Sequence, residues 1–246
     1  MIILSLNTWI KFILNIQIVS DSPLRINGKV NGLVNDIKIE NVDLHAYVVT
    51  QEGRQYTAIS RIPPNIGYDL QVLSTIGGII GWQFATPKSN ASNGFMFTGG
   101  VFNYSAEITF PQTSHSVLIT ANFLGLDVFN FLRTAIDIKG TLPSIPFGSK
   151  IEIQDFEEDY TRVAPGKIRS HSTRSFSYGE SSLSVPMTID QTFVFNECTF
   201  APHNEELSTL KLKVARNYIV YDSREQIVRY ASNSKISPLS SKNLVN

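Results

Sequence analysis

Apolar and polar residues alternate with a period of two through most of the chain. That is the spacing of half-buried strands, whose successive side chains point to opposite faces. The clearest stretch is residues 41–59, where Leu44, Ala46 and Val48 share one face and Asp43, His45 and Tyr47 the other. Residues 25–30 set Ile26, Gly28 and Val30 against Arg25, Asn27 and Lys29. The pattern recurs over 106–110, 116–122, 135–139, 150–156, 191–195, 211–215, 217–222 and 227–231. Turn signals separate many of these runs: Glu52-Gly53, Gly99-Gly100, Gly125, Gly140, Gly148 and Pro165-Gly166. About ten to twelve short strands at this spacing predict an all-β sandwich or closed barrel. No internal repeat or low-complexity linker divides the chain, so a single domain is expected.

Residues 63–84 break the alternation. Pro63-Pro64 stops the preceding strand, and Leu73 to Phe84 follows without a charge, which is too apolar for a surface loop. Gly77, Gly78 and Gly81 are poor helix formers, each about 1 kcal/mol worse than Ala, yet they let a backbone thread a crowded interior. A helix through the middle of a barrel needs such residues, and a sandwich does not. The competing reading is a buried strand with bulges.

Composition narrows the class further. At 246 residues the chain is long enough to bury roughly 70 to 75 % of its unfolded surface without disulfides. Lys plus Arg equals Asp plus Glu, 21 against 21, which argues against nucleic acid as a partner, because phosphate binding needs a basic excess. Cys198 stands alone, so neither an intrachain disulfide nor a multi-Cys zinc site forms. Residues 1–22 read as an apolar leader or non-domain segment. Lys11 interrupts the run and no basic start precedes it, so a signal peptide and a mis-started frame both fit. The domain is expected over 23–238, with a tail at 239–246.

No catalytic signature emerges. His45, His115, His171 and His203 lack metal-ligand spacing, and no nucleophile elbow, phosphate loop or dinucleotide fingerprint occurs. No catalytic residue, metal or cofactor is assigned. Asp155, Glu157, Glu158 and Asp159 form an acidic run expected to be a solvated loop or strand edge; paired across a cleft, they would instead mark a hydrolase. Asn90-Ala-Ser and Asn103-Tyr-Ser are N-glycan acceptor triplets for a secreted chain.

The blocks starting at Glu40 (Glu-Asn-Val-Asp-Leu-His-Ala-Tyr-Val-Val), Gly53 (Gly-Arg-Gln-Tyr-Thr-Ala-Ile-Ser), Ile76 (Ile-Gly-Gly-Ile-Ile-Gly-Trp) and Asn93 resemble the G2 β-barrel domain of nidogens. Arg25-Ile-Asn-Gly-Lys-Val and Ile227-Val-Arg-Tyr-Ala extend the likeness across nearly the whole chain. The resemblance implies an eleven-stranded closed β-barrel with an internal helix, similar to green fluorescent protein but without its chromophore. Ser177-Tyr178-Gly179 matches a chromophore-forming tripeptide, but it falls in the polar stretch Ser170 to Ser184, expected to be exposed and turn-rich, so no chromophore is expected. By the same resemblance the domain is extracellular, non-enzymatic and monomeric. Its outer face would dock a perlecan-type immunoglobulin module, and its contacts would extend to collagen IV. The implied contacts are Arg25, Asp43, His45, Tyr47, Tyr56, Glu225 and Arg229, with Asp43 and Glu225 orienting the arginines. A two-residue Glu52-Gly53 turn predicts Tyr47 opposite Ala58 and Val49 opposite Tyr56, with both tyrosines outward. A hollow barrel carrying a small ligand is the alternative.

Overall fold

The computed structural model describes residues 24–49, 52–179, 184–197 and 209–239. The apolar leader, Cys198, His203 and the tail beyond Leu239 lie outside them. The alternating runs form strands: β1 (Leu24–Val34), β2 (Ile37–Val49), β3 (Arg54–Ile59), β4 (Thr86–Pro87), β5 (Val101–Phe110), β6 (His115–Leu126) and β7 (Phe131–Gly140). There follow β8 (Ile151–Ile153), β9 (Phe156–Ala164), β10 (Lys167–Tyr178), β11 (Val185–Val194), β12 (Thr209–Asp222) and β13 (Ile227–Pro238). The sheet runs β11-β5-β6-β7-β1-β2-β3-β13-β12-β9-β10, and β10 pairs with β11 to close it. The eleven long strands make the barrel, while the short β4 and β8 hang on β13 and β10. Closure pairs each of the eleven long strands on both sides, so the barrel wall itself offers no open edge.

The uncharged segment runs inside. It folds as α1 (Pro64–Gly67), a 3-10 turn (Asp69–Val72) and α2 (Thr75–Gln83), and in α2 every residue but Gly78 is buried. A short α3 (Gly94–Thr98) follows, N-capped by the Asn93 side chain accepting from Met96 N–H. Two of the three α2 glycines are required by space. A Cβ at Gly81 would lie 2.6 Å from Ser234 Oγ, and one at Gly77 2.9 Å from Gln55 Nε2, whereas one at Gly78 would meet nothing within 4 Å. Trp82 stacks on Tyr160 at 5.8 Å between ring centroids and packs on Phe193 at 4.2 Å, filling the axis. A barrel plugged this way is poorly suited to carry a small ligand in its lumen.

Three expectations need correction. The stretch from Ser170 is strand up to Tyr178, not an exposed turn, because Ser170, Ser172, Arg174 and Phe176 all point inward and are buried. Ser177-Tyr178-Gly179 therefore lies at the end of β10 and its following turn, with Tyr178 opposite Ile151, not in the internal helix. The run 150–156 is broken into β8 and the start of β9, whereas 211–215 and 217–222 are one strand, β12, bulged at Arg216 (φ 55°). The acidic run also splits across the wall. Asp155, Glu157 and Asp159 are exposed, but Glu158 is only 4 % exposed and points into the lumen. Alternation along β9 drives this, since Phe156, Glu158 and Tyr160 share one face. On the outside, Lys211 lies 2.9 Å from Asp159 and 3.6 Å from Glu157. These carboxylates thus flank a lysine on an open wall instead of facing each other across a cleft.

Candidate partner-binding face

Strands β7, β1, β2, β3, β13 and β12 lie side by side, and their register sets outward residues in rows. Phe131, Arg25, Tyr47, Tyr56, Ala231 and Tyr218 form one row. Arg133, Asn27, His45, Ala58, Arg229 and Val220 form the next. In the third, Lys29 stands opposite Asp43, and farther round the wall Asp222 stands opposite Ile227. Arg25, Asp43, His45, Tyr47, Tyr56 and Arg229 are thereby gathered on three adjacent rows. Glu225 joins them from the β12–β13 turn, its carboxylate accepting from the Arg229 guanidinium.

The β2–β3 register differs from the one expected. Tyr47 pairs with Tyr56 and His45 with Ala58, because pairing ends at Val49 opposite Arg54, two residues short of the assumed turn. A shift by two preserves the facing of every side chain, so both tyrosines still point outward. It also brings their rings directly together, stacked at 4.5 Å with 17° between planes. Such pairs add about 0.5–1.5 kcal/mol beyond area burial. The Arg54 guanidinium carbon lies 5.0 Å from the Tyr56 ring centroid, and its Nε donates to the Tyr56 hydroxyl. Burial, and then the neighbouring Tyr56, push the Tyr47 phenol up from its ordinary value.

Charge on this wall is arranged differently from the sequence expectation. Asp43 does not orient Arg25. It takes hydrogen bonds from Lys29 and, at 2.8 Å, from Arg61 Nη2, and the Lys29 bond followed by the Arg61 charge holds its carboxyl below the usual range. Arg25 instead sits over Phe131, 5.8 Å from the ring centroid. Glu225 does hold Arg229, as expected. Asp222 accepts from the backbone N–H of Arg224 and Glu225 at 3.0 and 3.1 Å, and these bonds, the Glu225 one foremost, lower its pKa. His45 Nδ1 lies 3.0 Å from Asn27 Oδ1, which leaves Nε2 as the ring's other hydrogen-bonding atom. Lys29, Asn27, Arg54, Arg61 and Arg133 thus belong to the same surface. The alternation of β1 and β7 already signals the outward facing of three of them.

A second charged group includes Glu158, which the sequence reading places in solvent, and Arg174, which it does not single out. Inside the barrel Arg174 donates to Glu158, with side chains 5 % and 2 % exposed. Ser172 Oγ donates to the same carboxylate at 2.6 Å and Tyr160 hydroxyl at 3.0 Å, while Tyr104 hydroxyl donates to Gln191 Oε1 at 2.9 Å. The Arg174 guanidinium also lies 3.6 Å from the Phe156 ring centroid. Burial, and then the Glu158 charge, push the Tyr104 and Tyr160 phenols well above their ordinary value. Among the described residues, no three His, Cys, Asp or Glu side chains converge as a metal site. Asn90 and Asn103, which head the two N-glycan acceptor triplets, are both exposed, Asn103 on the outer side of β5.

A closed eleven-stranded barrel with an internal helix is the architecture of a nidogen-type G2 domain. The G2-F domain family model matches residues 21–202, and the chain belongs to that family. Human nidogen-1 is 39 % identical over 232 residues, covering 89 % of this chain and 18 % of nidogen-1. Mouse nidogen-2 is 35 % identical over 225 residues, covering 89 % of this chain and 16 % of its own length. The solved structure of domain G2 of mouse nidogen-1 matches with a TM-score of 0.83 at 37 % identity, covering 90 % of this chain and 91 % of that one. The chain spans about a fifth of the length of the nidogens it matches.

Proposed function

We propose that this domain is a non-enzymatic, protein-binding module of the extracellular matrix. Its β1–β2–β3–β13 wall docks a perlecan-type immunoglobulin module, and collagen IV is a further partner. Family membership supports the matrix setting, since nidogens are basement-membrane proteins. The observation that carries the docking reading is the gathering of Arg25, Asp43, His45, Tyr47, Tyr56, Glu225 and Arg229 around one stacked tyrosine pair. Tyr and Arg dominate interface hot spots, and a small central cluster supplies most of the binding energy. In this reading Tyr47 and Tyr56 bury ring area against the partner, His45 exchanges a hydrogen bond through Nε2, and Arg25 and Arg229 meet partner acids or carbonyls. Asn90 and Asn103 carry N-glycans, and the barrel acts as a monomer.

Surface plasmon resonance against the immunoglobulin module tests the reading. His45→Ala and Tyr47→Ala should each weaken binding by at least about 2 kcal/mol, or roughly 30-fold. Wild-type affinity in both variants would overturn it.

A further inference from the structure

Charge on the docking wall is unbalanced although the chain as a whole is neutral, 21 basic against 21 acidic residues. On the three rows that hold the tyrosine pair, the carboxylates are Asp43 and Asp222, and both are occupied from within. Asp43 is held by Lys29 and Arg61, and Asp222 by two backbone N–H groups with Arg229 at 3.8 Å. Glu225, at the margin, is bound to Arg229. Arg25, Arg54 and Arg133, by contrast, have no carboxylate partner among the described residues. Arg25 lies over Phe131, and Arg54 is held only by neutral Tyr56 and Asn233. Arg133 stands outward beside Asn27. These guanidiniums flank the tyrosines on two sides: Arg25 beside Tyr47 in its own row, Arg133 in the next row, and Arg54 beyond Tyr56 along β3.

Building on the docking reading, we infer that the partner's matching surface is acidic, an apolar centre ringed by carboxylates that engage Arg25, Arg54 and Arg133. Arg54 and Arg133 then belong to the interface. A guanidinium with no internal acid retains its full attraction for an incoming carboxylate and meets it bidentately. An uncompensated cationic ring also steers the encounter, which shows in the association rate and its dependence on salt.

The test measures association and dissociation of the immunoglobulin module by surface plasmon resonance at several salt concentrations. Raising sodium chloride from about 0.05 to about 0.5 M should slow association by at least about tenfold and change dissociation much less. Arg133→Glu, at a side chain with no hydrogen bond or ion pair among the described residues, and Arg54→Glu should each slow association several-fold at low salt and flatten its salt dependence. Arg169→Glu on the opposite wall should do neither. If association ignores salt and both reversals while Tyr47→Ala still abolishes binding, the acidic-partner inference is overturned and the docking reading stands. If the module binds neither wild type nor variants, both fall. If Arg54→Glu and Arg133→Glu remove binding to heparin but leave association with the module unchanged, the cations serve a sulfated glycan and the inference is equally overturned.

Discussion

The barrel holds two sets of charged side chains that obey opposite rules. On the outer wall, Lys29, Asp43 and Arg61 have side chains 33–59 % exposed. In the lumen, Glu158 and Arg174 are at most 5 % exposed, enclosed by Tyr104, Tyr160, Ser172 and Gln191. Exposed pairs contribute little to stability because water screens them, so their identities are free to be set by recognition. The inner pair is tied to the fold, since removing one member strands the other in a dry interior. The same residue types are therefore read as binding groups outside and structural groups inside, with burial as the deciding variable.

The largest test of this contrast is Arg174→Met, which leaves Glu158 without its cation. It should cost about 3–5 kcal/mol in denaturant unfolding, and pairing it with Glu158→Gln should recover much of the loss. A single-variant cost below about 1 kcal/mol would erase the distinction between lumen and wall. A smaller test concerns the plug. Gly81→Ala drives a methyl against Ser234 and should cost about 1–3 kcal/mol, whereas Gly78→Ala, which meets open space, should be neutral or stabilise by up to about 1 kcal/mol. Thermal melting of the two variants separates these outcomes.

The smallest effect lies at alkaline pH. The folded state raises the Tyr104 phenol above its ordinary value, so it keeps a proton that the unfolded chain releases. Stability is therefore intact below about pH 10 and declines above it by up to about 1.4 kcal/mol per pH unit for each such group. Tyr104→Phe should flatten that alkaline limb in a pH series of unfolding curves, even if the lost bond to Gln191 lowers stability at neutral pH. An unchanged slope would contradict the burial of this phenol.

Much of the wall was legible in the sequence. A period of two separates Asp43, His45 and Tyr47 from Leu44, Ala46 and Val48 wherever strand pairing ends, and the uncharged, glycine-bearing segment announced the plug. The register was not legible, since turn chemistry alone placed Tyr47 opposite Ala58. Facing survived that error because the shift was even. The lumen was the real failure. Ser172, Arg174 and Glu158 look like surface residues by composition, and only their two-residue spacing from Phe176, Phe156 and Tyr160 on the same strand face points them inward. A polar residue's facing depends on its neighbours two positions away, and its comfort there depends on partners far off in sequence.

Hydrogen exchange of the domain, free and bound to the immunoglobulin module, tests the central claim most directly. Slowed exchange confined to β1, β2, β3 and β13, with β9, β10 and β11 unchanged, is the predicted footprint. Protection centred on β9–β10–β11, with the Tyr47–Tyr56 strands unaffected, would contradict it.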